Sequence, residues 1–294
     1  MNIDKQKVLE AGKIASQTKI YARSLIKKDM PLLEIAESIE SHIKNLGGSP
    51  AFPVNLSINN IAAHYTPSHD DKTLAHGLLK VDIGVHIDGW VADTAFSLDL
   101  ENSEENKKLI SASEKALENA LHLATSKTKI SLSEIGKTIQ DTIEKMNLMP
   151  VTNLSGHSIE RYDLHSGINV PNVDTKSNIQ LEEGLYAVEP FATNGNGKVH
   201  DGKFSNIYHL INEKTPRSQT ARQLLTFIME NYKNLPFCSR WLVKALGPRA
   251  LIGLRELESN GNLHHYSQLV EQGKVSQSEQ TILVEKDKIT ITTI

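Results

Sequence analysis

The sequence predicts an α+β protein, and three observations carry that expectation. Apolar residues recur at helical spacing from Val8 to Ile43, from Ser103 to the neighbourhood of Pro150, and from Pro216 to Asn260. Between these stretches lie segments in which apolar and polar residues alternate with a period of two, as they do along half-buried strands. One such segment is centred on Asp88-Gly89, a pair that tolerates the two positive φ values of a type I′ turn, so its strands are expected to be antiparallel neighbours.

Each element has its own signal. Val8, Ala11, Ala15, Ala22 and Leu25 mark an amphipathic first helix; Pro31 opens a second through Leu33, Ile35, Ile39 and Ile43, stopped by Gly47-Gly48. Phe52 to Phe96 reads as loops and strands. Ser103-Glu104-Glu105 caps a helix to about Ser126, and Ser133 begins another that ends before Pro150. Strand-rich text returns from Gly156 to Tyr208. Leu224, Leu225, Ile228, Met229, Trp241, Leu242, Leu246, Leu251, Leu254 and Leu257 then make a helical insertion, over about 211–265, within a single domain spanning 1–294. Val275 to Val284 and Ile289 to Ile294 close the chain as two strands around Glu285-Lys286-Asp287-Lys288. Gly77-Leu78-Leu79-Lys80-Val81-Asp82 and Gly184-Leu185-Tyr186-Ala187-Val188-Glu189 share the pattern G-L-x-x-V-acid, a hint of two related halves.

Composition narrows the partners. With 294 residues, 39% of them hydrophobic, the chain has material for a sizeable core. A net charge of −3 and an isoelectric point near 6.5 leave no positive excess for a phosphate backbone or an acidic membrane, so neither nucleic acid nor membrane is expected as a partner. Cys238 alone cannot build a disulfide framework or a thiolate metal cluster, which suits a reducing cytoplasm. The first residues mix Lys5, Glu10, Lys13 and Asp29 among apolar ones and lack the apolar run of a signal peptide.

The segment Lys80 to Phe96 raises the chemical question. Val81, Ile83, Val85 and Ile87 fall on one side of an extended chain, with Asp82, Gly84 and His86 on the other. If Ile87 faces Trp90 across the turn, Gly84 faces Asp93, and Asp82 is its diagonal neighbour on the same face. Carboxylates so placed repel each other unless a divalent cation lies between them, and Gly84 would leave the room. From this segment alone a metal site and the solvated face of a hairpin stand on equal terms. Three more places set a metal-ligand type beside a glycine or along a strand: His157 in Ser155-Gly156-His157-Ser158, Glu189 before Pro190, and Glu279 in alternation with Gln277 and Thr281. Taken singly, each is more often a structural or solvated side chain.

Taken together, Asp82, Asp93, His157, Glu189 and Glu279 have the types, order and spacing of the ligands in methionine aminopeptidases. The stretch Phe52-Pro53-Val54-Asn55-Leu56-Ser57-Ile58-Asn59-Asn60 leading to Ala62-Ala63-His64-Tyr65-Thr66-Pro67 resembles the substrate-side loop of the type 2 enzymes. So do Gly156-His157-Ser158-Ile159 with His165 beyond it, Val188-Glu189-Pro190-Phe191, and Gln277-Ser278-Glu279-Gln280-Thr281-Ile282. The resemblance spans essentially the whole chain, including the helical insertion, and is nearest the archaeal members. It implies the pita-bread fold, a pseudo-two-fold curved antiparallel sheet covered by helices, with a winged-helix-like insertion. It implies two divalent metal ions (Co, Mn, Fe or Zn), with Asp82 on one, His157 and Glu189 toward the other, and Asp93 and Glu279 bridging. Glu189 or a bridging carboxylate would move the proton; His64 and His165 would hydrogen-bond the scissile amide and stabilise charge on its oxygen. Phe52 and Leu164 would line the methionine pocket.

The activity implied is removal of the initiator methionine before a small second residue. Nascent polypeptide N-termini are then the substrates, the ribosome a candidate partner, and a cytoplasmic monomer the expected form. Ile207 stands where some eukaryotic type 2 members have a pocket histidine, and Ser278 and Gln280 flank Glu279 where others carry an aromatic residue and a histidine. Two other readings share the fold. Prolidase or aminopeptidase P relatives usually carry an extra N-terminal domain not seen in this sequence, and non-enzymatic binding modules lose the ligands that this chain keeps.

Overall fold

The structure is a computed structural model that describes residues 3–127 and 129–294. Its helices begin where side chains can satisfy the first free N–H groups. Asp4 accepts the Lys7 N–H and starts α1 (Lys5–Leu25); α2 (Leu32–Asn45) follows Pro31 directly. Ser103 caps α3 (Glu104–Thr125), with Glu104 and Glu105 in the first turn. For α4 (Leu132–Glu144) the cap is Ser131, two residues before the predicted Ser133. Ser131 and Glu134 form a capping box, the Glu134 N–H donating to Ser131 Oγ at 3.2 Å and the Ser131 N–H to Glu134 Oε2 at 2.8 Å.

The main sheet curls through a fixed order of strands. From one edge it runs Ser49–Pro50, Leu78–Ile87, Trp90–Asp99, Glu279–Glu285, Gly184–Val188, Gly156–Ile159 and Asn169–Val170, with Asn55–Ile58 and Lys288–Ile291 paired alongside. Among the described residues each pairing in it is antiparallel. The hairpin has the predicted register, Ile87 opposite Trp90 and Gly84 opposite Asp93. Asp88 and Gly89 turn it with φ values of 49° and 84°, as a type I′ turn requires.

Two helix pairs cover the side of the sheet that carries Val81 and Val188, and the apolar residues explain which pair goes where. The α1 and α2 faces bury against Leu56, Val81, Ile83 and Phe96, whereas α3 and α4 bury against Tyr186, Val188, Ile282 and Val284. Each half thus joins a helix pair to one of the two strands that share the G-L-x-x-V-acid pattern. The architecture is the expected pita-bread fold.

Two departures concern the last strands. Val275 to Val284 is not continuous: Val275–Gln277 pairs with Phe191–Thr193 in a small three-stranded sheet, and Glu279–Glu285 belongs to the main one. Ser278 carries the chain between them, its N–H donating to the Pro190 carbonyl and its hydroxyl bonded to Ser113. The final strand is Lys288–Ile291 rather than Ile289 to Ile294, because the hydroxyls of Thr292 and Thr293 take over the bonding to Thr281.

The stretch after Tyr208 forms α5 (Gln219–Asn231), α6 (Ser239–Leu246) and α7 (Ala250–Ser259), with a separate apolar cluster around Leu224, Ile228, Leu242, Leu254 and Leu257. It is not purely helical. Phe237–Cys238 adds a short strand to His200–Leu210, which pairs with Leu263–Val270 and through it with Ile61–Ala63. No helix among the described residues is long and apolar enough to cross a membrane.

Candidate metal centre

Five neighbouring strands of the main sheet each deliver one of the candidate ligands. In sheet order these are Asp82 on Leu78–Ile87, Asp93 on Trp90–Asp99, Glu279 on Glu279–Glu285, Glu189 just past Gly184–Val188, and His157 on Gly156–Ile159. Residues scattered along the whole sequence therefore meet on one face of the sheet. His157 Nε2 lies 3.7 Å from Asp93 Oδ2 and 3.9 Å from Glu189 Oε1. Donor atoms of Asp93, His157 and Glu279 all fall within 4.8 Å of one another.

The electrostatics follow from burying so many acids together. Burial raises the Asp82 carboxyl to about 7, and burial plus the neighbouring carboxylates push Asp93, Glu189 and Glu279 well above the ordinary range. Burial, reinforced by His165, lowers the His157 imidazole to about 3. A neutral imidazole among acids that resist ionisation is a donor set waiting for positive charge.

A cavity of about 170 Å³ opens over this floor, lined among others by Phe52, His64, Leu164, His165, Phe191, Ile207 and Tyr266. The predicted substrate residues Phe52, His64, Leu164 and His165 all reach it. One expectation is corrected here. The place above Gly84 is not empty room for an ion, since a Cβ there would stand 2.2 Å from Cε1 of Phe52; the missing side chain makes way for that ring.

His64 adopts a left-handed backbone, φ 67°, at the end of the Ile61–Ala63 strand. Its Nδ1 lies 3.2 Å from the Ser267 carbonyl, an acceptor only, which assigns the proton to Nδ1 and leaves Nε2 as a bare acceptor. Burial lowers the pKa of His64 and brings His165 down to about 4, so both rings are neutral at pH 7. The His165 ring tilts against His157 with centroids 4.3 Å apart.

Comparison with known proteins gives the family. Residues 6–217 match metallopeptidase family M24. A methionine aminopeptidase of Pyrococcus abyssi is 45% identical over 298 residues, covering 99% of this chain and all of that one. The chain belongs to family M24, among the methionine aminopeptidases. Solved structures share the fold at lower identity: a thermophilic Arx1 superposes with a TM-score of 0.83 at 16% identity over 99% of this chain and 91% of its own. The methionine aminopeptidase of Rickettsia prowazekii gives 0.70 at 21% over 100% and 99%.

Metallopeptidases of this family use divalent metal, and the side chains present fit that use. Asp82 Oδ1, Asp93 Oδ1 and Glu279 Oε1 are buried acceptors with no hydrogen-bond partner, which is costly unless a cation takes them up. Four carboxylates and one imidazole, with no sulfur, suit a hard or borderline divalent ion.

Reading the sequence missed several supports of this M24 site. Gln277 Nε2 stands 3.3 to 3.4 Å from oxygens of Asp82, Glu189 and Glu279, a single amide donor shared by three acids. Thr281 holds Asp93 from both sides, accepting its N–H and donating to its carbonyl, each at 2.8 Å. Asn172 Nδ2 donates to the carbonyls of Leu154 and Glu189 at 3.0 Å, tying the cavity wall to a ligand. The alternation of Gln277, Glu279 and Thr281 put the first two supports on the right face; nothing in the sequence marks Asn172.

Proposed function

We propose that the protein hydrolyses the N-terminal methionine from nascent polypeptides in the cytoplasm, preferring a small second residue. The reading is supported above all by the convergence of Asp82, Asp93, His157, Glu189 and Glu279 under a cavity that carries two neutral histidines and an apolar wall. Asp82, Asp93, His157, Glu189 and Glu279 would hold two divalent ions, Co, Mn, Fe or Zn, with Asp93 and Glu279 placed to serve both. Such ions, when bound, bring the pKa of water toward neutrality and polarise the scissile carbonyl.

The chain's own residues supply the rest. An unbranched methionine side chain buries favourably against Phe52 and Leu164, at about 25 cal/mol per Å² of apolar surface. His64, with Nε2 bare, accepts a hydrogen bond from the scissile amide N–H, while His165 donates toward the carbonyl oxygen as charge develops there. Glu189 takes the proton of the attacking water and delivers it to the leaving amine. Residues 211–265 form an insertion within one catalytic domain, and the chain works as a monomer, with the ribosome as the place where nascent N-termini are met.

The test is to incubate protein loaded with each metal with Met-Ala-Ser and Met-Pro peptides beside Ala-Pro and chelator controls. Metal-dependent release of methionine from Met-Ala-Ser is expected. Preferential release of alanine from Ala-Pro would move the assignment to a prolidase, and silence with every metal would make the chain a binding module.

A further inference from the structure

Asn55 begins the strand Asn55–Ile58 and is the register partner of Asp82, so the two side chains stand on one face with Cβ atoms about 5 Å apart. Asp82 is paired in turn with Ala95, and Ala95 with Glu279. The amide of Asn55 is thus the outer end of the cross-strand row that carries two of the carboxylates. Its orientation is fixed by one hydrogen bond, Nδ2 donating to the Pro53 carbonyl at 2.7 Å, which turns Oδ1 away. Asn55 lines the cavity and is 5% exposed, yet Oδ1 has no partner. A buried amide oxygen without a donor is unusual in a folded protein and points to a group that arrives from outside.

The orphaned carboxylate oxygens of the floor, on Asp82, Asp93 and Glu279, suit cations; the neutral amide oxygen of Asn55 suits an N–H. A methionine side chain offers no donor and the scissile carbonyl offers none. The amide N–H of the scissile bond is matched by the bare Nε2 of His64. Among the groups of the substrate's first residue, the donor left over is the free α-amino group. We infer that Asn55 is a specificity-determining residue whose Oδ1 accepts a hydrogen bond from the substrate α-amino group beside Asp82. The inference rests on the aminopeptidase reading and adds a device to it: the site recognises the amino terminus through a neutral acceptor, separately from the side-chain pocket. An acylated terminus would bring its own carbonyl oxygen against Oδ1 and Asp82, acceptor against acceptor, and be refused.

The experiment compares competitive inhibition by methionine, norleucine and 4-(methylthio)butanoate, the last lacking the amine, in wild type, Asn55→Leu and Asn55→Asp, each with measured metal content. The wild type should prefer methionine over the desamino acid. In Asn55→Leu this preference is expected to fall about tenfold, the size of one buried hydrogen bond, while the methionine-to-norleucine ratio stays constant. Asn55→Asp keeps an acceptor and should keep the preference; Asn55→Ala replaces the leucine variant if that one does not fold. An unchanged preference in the loss variant, or a shift confined to methionine against norleucine, overturns the inference. Failure of the wild type to release methionine from Met-Ala-Ser would instead overturn the aminopeptidase reading, whatever the inhibitor ratios.

Discussion

Arg240 on α6 grips Glu40 on α2 with both ends of its guanidinium, Nη1 to Oε2 at 2.7 Å and Nη2 to Oε1 at 2.8 Å, in a contact almost fully buried. The pair is also a junction. Glu40 accepts the Trp241 Nε1–H and the Val54 N–H, and Arg240 donates from Nε to the Pro67 carbonyl. Val54 and Pro67 bracket the loop that carries Asn55 and His64, so the helical stretch after Tyr208 holds that loop from outside. Removing one partner of such a pair strands a buried charge, at a cost of about 3–5 kcal/mol. Arg240→Met should therefore lower the urea midpoint strongly and raise KM, whereas the double change Glu40→Met with Arg240→Met should recover much of the stability but not the KM. Equal stability of the single and double variants would show that the charges are not coupled.

Gly84→Ala tests the Phe52 contact. The added Cβ would meet the ring at 2.2 Å, and the ring is buried in one apolar cluster with Trp90, Val91 and Leu164. Overpacking of this kind costs about 1–3 kcal/mol. A raised KM with unchanged metal content is expected, and Phe52→Leu in the same chain should restore stability. An alanine variant with wild-type KM would mean that Phe52 does not shape the substrate side.

These cases show where the sequence was legible. Asp88-Gly89 determines the hairpin register because a two-residue turn leaves no slack, and that register alone brings Asp82 and Asp93 to one face. The G-L-x-x-V-acid pieces mark equivalent strands because both are buried against a helix pair. The split at Ser278 was not legible, since a buried alternating run looks the same whether one sheet or two take it up; Pro190 and Ser113, far away in sequence, decide it. The Ser131 cap lost to Ser133 for a local reason: both are serines, and only the reciprocal bond with Glu134 separates them. The ring above Gly84 could not be foreseen from spacing, because an absent side chain does not say who fills the gap.

His64→Ala and His165→Ala should each lower kcat by about a hundredfold with little change in KM, the usual scale for one donor or acceptor lost at the reacting centre. Neither ring contacts the ligands through a hydrogen bond, so metal content by atomic absorption should match the wild type. Loss of metal in His165→Ala would instead show that its packing against His157 holds that ligand in place.

Metal removal should make stability depend on pH in a definite direction. Asp82 is raised to about 7, and Asp93, Glu189 and Glu279 are raised well above the ordinary carboxyl range, all by burial first. In the unfolded chain such acids titrate near 4, so between pH 4 and 7 the folded state binds more protons than the unfolded one. Stability then falls as pH rises, because the slope carries the sign of protons bound unfolded minus folded. Chelated protein is expected to melt at a lower temperature at pH 8 than at pH 5.5, and added divalent metal to raise the melting temperature more at pH 8. Asp82→Asn, which removes one of the four buried acids, should flatten the slope of the chelated protein. A chelated protein whose melting temperature climbs from pH 5.5 to 8 would show that the four carboxylates are not held together without their counter-charge.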